Sequence, residues 1–194
     1  MITFIIAVFF MLITPGPGVL SVAGVGSSYG FKAGMRYMTG LFIGTNLVAL
    51  AVVSGLAGVV FSFPYVRNIL LVLSVMYLSW LALRIALSDS NIAFIKATKP
   101  PGIMDGISLQ AINPKAYVVN TALFTGFAFW PDSFLYETLV KFALINAIWI
   151  PIHILWNGAG VSLRRLDLST PNQRAINYAM AIALMSVVIL ALTA

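Results

Sequence analysis

The chain has 194 residues, 61% of them hydrophobic and only 8% charged, which excludes an ordinary soluble domain and leaves room for about six membrane spans. It has no cysteine, so disulfides, thiolate metal sites and a dithiol relay are excluded. Its net charge of +6 does not point to nucleic acid, because the basic residues sit in short connectors and form no aromatic-interleaved patch.

The first span is expected from about Ile2 to Ser27, broken at Thr14-Pro15-Gly16-Pro17-Gly18. Its leading run, Ile2 to Ile13, covers about 18 Å, too little to cross roughly 30 Å of hydrocarbon alone. Pro15 and Pro17 lack an N–H, so the carbonyls of Met11 and Ile13 lose their helical partners. The half-helix beyond the break starts with unpaired N–H groups. Such backbone survives at membrane depth only inside protein or beside a wet cavity, which makes the break a candidate site. Ser21-Val22-Ala23 looks like a cleavage site, but no basic segment precedes the apolar run, and the span is expected to be retained.

A connector with Lys32 and Arg36 leads to a second span, about Tyr37 to Phe61, where Gly40 and Gly44 are spaced for close helix contact. After a turn at Pro64, a third span runs from about Val66 to Leu87 and ends in Tyr77-Leu78-Ser79-Trp80-Leu81-Ala82-Leu83-Arg84, suited to an interface anchor. Residues 88 to 102 form the longest polar connector. The fourth span opens near Ile103, is interrupted at Asn113-Pro114-Lys115 and resumes to about Trp130. The fifth, about Leu135 to Val161, holds Asn146, Trp149, Pro151, His153, Trp156 and Asn157. A basic connector precedes the sixth, about Ile176 to Leu192.

The halves echo each other. Pro15 corresponds to Pro114, Asn46 to Asn146, and Pro64-x-x-Arg67 to Pro171-x-x-Arg174. Three spans per half is an odd number, so the repeats, residues 1–97 and 98–194, are inverted in the membrane. Interrupted helices at matching positions of two inverted halves point to a transporter's binding site. With the N-terminus outside, the inner connectors hold Lys32, Arg36, Arg84, Lys96, Lys99, Arg164, Arg165 and Arg174, and the outer ones hold Arg67 and Lys141 beside Asp132 and Glu137. Both termini are therefore expected outside.

Thr14-Pro15-Gly16-Pro17 at the end of the first apolar run resembles the signature of the lysine-exporter (LysE/RhtB) family of amino-acid exporters. Lys32-Ala33-Gly34-Met35-Arg36 resembles its basic connector, Tyr77 through Arg84 is similar to the end of its third helix, and Asn113-Pro114-Lys115-Ala116 to its second signature. The resemblance covers the whole chain in order and implies export of amino acids or similar solutes across a bacterial inner membrane. Two departures fall where a substrate would touch. Gly18 stands where members usually carry asparagine, and Tyr117-Val118-Val119-Asn120-Thr121 replaces a phenylalanine-rich run.

The residues suggest how a zwitterion would be held. The carbonyls of Met11, Ile13 and Gln110 offer acceptors for an ammonium, and the half-helix start at Gly16, Gly18 and Val19 offers donors and a favourable dipole for a carboxylate. Lys115 either contacts the substrate or forms a structural or gating pair, for instance with Asp105. Asn46 and Asn146 either face the cavity or bridge helices. The candidate binding residues are Thr14, Pro15, Gly16, Pro17, Gly18, Asn46, Gln110, Asn113, Pro114, Lys115, Asn146 and Trp149. Asp105, the preferred one, and His153 are the candidates for proton coupling in an antiport. Each has a plainer alternative: an interface charge for Asp105, a neutral packing partner for His153. No catalytic residue, metal or cofactor is expected.

The expected fold is thus all-α and membrane-embedded, six spans with helices 1 and 4 broken. The expected partners are a small amino-acid-like solute and the bilayer, with the oligomeric state open and a homodimer one arrangement. A membrane-embedded enzyme and an accessory or structural subunit are the competing classes. No Ser–His–acid set, metal-ligand cluster or nucleotide loop is readable for the enzyme, and the subunit would not need paired intramembrane breaks.

Overall fold

The computed structural model describes residues 1–14, 16–61, 99–130, 132–165 and 170–193, and isolated positions between 63 and 87. Pro15, Pro64, Arg67, Tyr77, Arg84, Lys96 and Pro131 lie outside the described residues, as does half of the third expected span. The described residues hold eight continuous helices: α1 (Ile2–Ile13), α2 (Pro17–Tyr29), α3 (Phe31–Val53), α4 (Leu56–Phe61), α5 (Ile103–Ile112), α6 (Pro114–Thr125), α7 (Phe134–Arg165) and α8 (Thr170–Thr193). No strand occurs among them. Two helices, Phe31–Val53 and Phe134–Ser162, are each long and apolar enough to cross a bilayer, and α1 with α2, bent by 50°, meets the same measure as a pair.

The helix ends follow local chemistry. Thr14 stops α1, and Gly16, in extended backbone, starts α2 with Pro17 at its first position, where a missing N–H costs nothing. Gly30, at φ 87, joins α2 to α3 in a conformation that side chains resist. α5 begins at Gly102, whose N–H donates to the Asp105 carboxylate at 2.7 Å. Asn113 ends α5 and caps α6, and Pro114 takes the first position of α6.

α2 is the centre of the molecule. Every residue from Pro17 to Ser27 is buried, which explains its run of small and β-branched residues: helices press on it from all sides. It packs against α3, α7 and α8, while α3 packs along α5. Glycines set the closeness of these seams. A Cβ at Gly40 would run into the Ile103 carbonyl, one at Gly106 into the backbone of Tyr37 and Leu41, and one at Gly160 into the Ala23 carbonyl. Asn157, wholly buried, fills the space that Gly26 and Gly34 leave and donates from Nδ2 to the Phe31 carbonyl at 3.1 Å.

Apolar side chains also cover the outside. Ile2, Ile6 and Phe10 of α1, Leu47 and Leu50 of α3, and Leu135, Leu139 and Leu155 of α7 are exposed, as a hydrocarbon solvent requires. One detail differs from the sequence reading. Glu137 and Lys141, expected in an outer connector, lie inside α7. Lys141 is 2% exposed, pairs with Glu137 at 2.7 Å and donates to the Phe124 carbonyl at 3.0 Å. Glu137 in turn accepts from the N–H groups of Phe129 and Trp130. The pair thus staples the turn between α6 and α7, so both charges are satisfied within the helix that carries them.

Candidate functional site

The two interruptions meet. At the α5–α6 break, Asn113 Nδ2 donates to Gln110 Oε1 at 2.9 Å and Asn113 Oδ1 accepts from the Lys115 N–H at 3.1 Å. The Gln110 carbonyl already accepts from the Asn113 N–H at 3.3 Å, so this residue faces the site chiefly through its side chain. Lys115, in the first turn of α6, reaches across to the α1–α2 break, where its Nζ donates to the Thr14 carbonyl at 2.7 Å. Its stem lies over Gly16: a Cβ there would stand 2.8 Å from Lys115 Cδ and 3.0 Å from Nζ. Gly16 is thus required by a close approach rather than by its backbone angles, which are extended. The acceptor that the end of α1 presents to Lys115 is the Thr14 carbonyl, one residue beyond Ile13.

α7 completes the site. His153, 3% exposed, donates from Nδ1 to the Trp149 carbonyl at 2.9 Å, which leaves Nε2 toward Gly18. A Cβ at Gly18 would lie 3.6 Å from His153 Nε2 and 3.6 Å from Gln110 Nε2. The imidazole stacks on the Trp149 ring with centroids 3.5 Å apart and planes 14° apart, and Phe42 meets Trp149 edge-on at 5.6 Å.

These groups line a cavity of about 60 Å³. Thr14, Gly16, Gly18, Gln110, Asn113, Lys115 and His153 form its polar part, with Thr45 of α3. Met11, Leu12, Val119, Leu123 and Ile145 form its apolar part and belong to the cluster that joins α1, α6 and α7 around Phe4 and Val8. Two helix N-termini, those of α2 and α6, open at the polar part beside the Lys115 ammonium. Dipoles and charge there all favour an anionic group, while the C-terminal ends of α1 and α5 favour a cationic one.

Of the residues singled out from the sequence, Thr14, Gly16, Gly18, Gln110, Asn113, Lys115, Trp149 and His153 line this cavity together. Pro15 lies outside the described residues. Pro17 and Pro114 start helices at its edge and are not part of the lining. Asn46 and Asn146 are not part of it either. They bridge α3 and α7, Asn46 Nδ2 donating to Asn146 Oδ1 at 3.1 Å and Asn146 Nδ2 to Asn46 Oδ1 at 2.9 Å. Two amides that satisfy each other this way have their strongest groups turned to one another rather than to a solute. Asp105 also lies off the lining, its carboxylate capping α5.

Sequence reasoning missed Leu12, Thr45, Ala116, Leu123 and Ile145 as lining residues. A helical-face count would have found several: Lys115, Ala116, Val119, Asn120 and Leu123 share one face of α6, and Ile145, Trp149 and His153 one face of α7.

Fold and site together define a helical membrane protein with a small cationic cavity at two helix ends. The family model described as LysE type translocator matches residues 9–194, and the chain belongs to that family. Among similar proteins is a leucine efflux protein of Enterobacter sp. (strain 638), 29% identical over 130 residues, 64% of this chain and 62% of that protein. A leucine efflux protein of Klebsiella pneumoniae subsp. pneumoniae is 25% identical over 131 residues, 65% of this chain and 62% of that protein. A cysteine/O-acetylserine efflux protein of Salmonella paratyphi A is 30% identical over 118 residues, 58% of each chain. The matched region thus spans less than two thirds of these relatives' length. They are efflux proteins, transporters rather than enzymes. No solved structure matches the chain.

Proposed function

We propose that this protein is a secondary exporter of amino acids or related small zwitterions in a bacterial inner membrane. Six spans would form two inverted three-helix repeats with both termini outside, α1–α2 and α5–α6 each acting as one broken span, and the site would sit near mid-membrane where the breaks meet. The observation that carries this reading is the Lys115–Thr14 contact. It joins the two breaks through a cation that a substrate ammonium can replace at the Thr14 carbonyl, and whose charge a substrate carboxylate can draw away.

The inverted repeat has independent support. Asn46 and Asn146, equivalent by position in the two halves, hydrogen-bond reciprocally, as residues beside a two-fold axis do. Exchanging α1 with α5, α2 with α6 and α3 with α7 also maps packed pairs onto packed pairs. α3 with α5 corresponds to α7 with α1, and α2 with α7 to α6 with α3. Export by proton antiport is the coupling we favour, with His153 as the exchanging group. It borders the cavity, whereas Asp105 is engaged at the start of α5.

Ligand-dependent thermal stabilisation of the purified protein tests the zwitterion site. Losing a charge-assisted hydrogen bond costs about 1.5–3 kcal/mol, roughly ten- to a hundredfold in affinity. The methyl ester and the decarboxylated amine of the best amino acid should each bind at least tenfold more weakly than the parent. A neutral or purely cationic solute that binds equally well would refute the zwitterion model. Lys115→Met then separates two roles: lost discrimination against the ester means direct contact, and lost transport with binding intact means a latch.

A further inference from the structure

The cavity has two chemistries, and only one has been given a task. We infer that its apolar part, formed by Leu12 of α1, Val119 and Leu123 of α6 and Ile145 of α7, is a side-chain pouch that selects amino acids with short, uncharged aliphatic side chains. The inference rests on the export reading above and adds which residues choose the substrate. Anchoring the carboxylate at Lys115 and the helix N-termini leaves the substrate's side chain for the apolar lining, in which these four residues are joined by Met11, Val19 and Ala116. All four belong to one hydrophobic cluster, with Leu123 and Ile145 buried. Asn120, the polar residue on the same stretch of α6, turns its Nδ2 back to the Ala116 carbonyl at 2.7 Å.

Size sets the upper limit. The cavity as a whole, polar and apolar parts together, is about 60 Å³ and takes roughly four to six waters, which favours a compact side chain beside the zwitterion. Chemistry sets the lower one. Each methylene buried is worth about fourfold in affinity, so leucine should exceed alanine on the order of fiftyfold. A lysine or glutamate side chain would bring an unpaired charge against apolar walls and be rejected. Of the chemistries named for the relatives, the pouch fits the aliphatic one and gives the ester of O-acetylserine little to bond with.

Counterflow of labelled leucine into proteoliposomes holding the full chain tests this, with unlabelled competitors. Leucine, isoleucine and valine should compete at least tenfold better than serine, O-acetylserine or lysine. Leu123→Ala should enlarge the pouch and improve phenylalanine at least tenfold relative to leucine. Val119→Thr, which keeps the shape and adds a hydroxyl, should narrow the preference for leucine over O-acetylserine and serves if Leu123→Ala fails to fold. Competition by leucine, serine and lysine within twofold of one another, or selectivity unchanged in a folded variant, overturns the pouch and leaves amino-acid export standing. Counterflow with no amino acid at all overturns the export reading itself.

Discussion

At the scale of single residues, Gly16 and Gly18 are neighbours with opposite constraints. A methyl at Gly16 meets the far end of the Lys115 side chain at 2.8–3.4 Å, whereas one at Gly18 makes ordinary contact at 3.6 Å. Lys115 can move aside, so Gly16→Ala should leave folding intact while displacing the ammonium from Thr14. Binding should weaken about tenfold or more with an unchanged melting temperature, on the scale of one charged hydrogen bond. Gly18→Ala should bind within a few-fold of the parent, and equal losses for both in a titration would remove the special role of Gly16. His153 divides from Asp105 in the same way. His153→Gln should abolish accumulation driven by a proton gradient while exchange persists, and Asp105→Asn should keep coupling and lose only helix-cap stability. Gradient-driven accumulation by His153→Gln at the parental rate would exclude it as the exchanging group.

Among elements, the α3–α5 seam is set by glycine and the α4 surface is not. A Cβ at Gly106 would fall within van der Waals overlap of the Tyr37 carbonyl and the Leu41 nitrogen, both backbone atoms that cannot turn away. The helices must part, and overpacking of this kind costs about 1–3 kcal/mol or more. Gly106→Val should therefore cost most of the monodisperse protein recovered in detergent. Gly58 in α4 has nothing within 4 Å of such a Cβ, so Gly58→Ala should be neutral or stabilising by up to about 1 kcal/mol, since alanine is the better helix former. Similar melting temperatures for the two variants would mean that the seam is not close-packed.

Across the whole molecule, the Asn46–Asn146 bridge joins the two proposed repeats at equivalent positions. Interhelical hydrogen bonds in membrane proteins are worth about 0.6 kcal/mol on average and about 1.7 at most. A double-mutant cycle with leucine at both positions should return a coupling energy in that range, and a value of zero would show that the pair is incidental. Topology is tested separately. Labelling of single introduced cysteines should place Asp132 outside and Lys96 and Arg165 inside; the reverse pattern would overturn the proposed orientation, and Asp132 on the same side as Lys96 would overturn the inverted repeat.

Much of this was legible in the chain alone because its signals are local. A proline costs a helix interior about 3 kcal/mol, and one set beside glycine or after a capping asparagine ends the helix, so the ends near Thr14 and Asn113 were legible, as were the membrane class and the close-contact glycines at 40 and 44, although Pro151 is carried inside α7. The sequence also determined which polar residues lie at those ends, hence Thr14, Gly16, Asn113 and Lys115. Only the tertiary structure decided what they touch. That Lys115 reaches Thr14 and that Asn46 turns to Asn146 depend on where helices a hundred residues apart come to rest. The apolar half of the cavity was hidden for a related reason: in a chain bathed in hydrocarbon, leucines and valines face core, lipid and solute alike, and composition does not separate them. Packing around α2 does, by burying one face of each neighbour and leaving the rest to the bilayer.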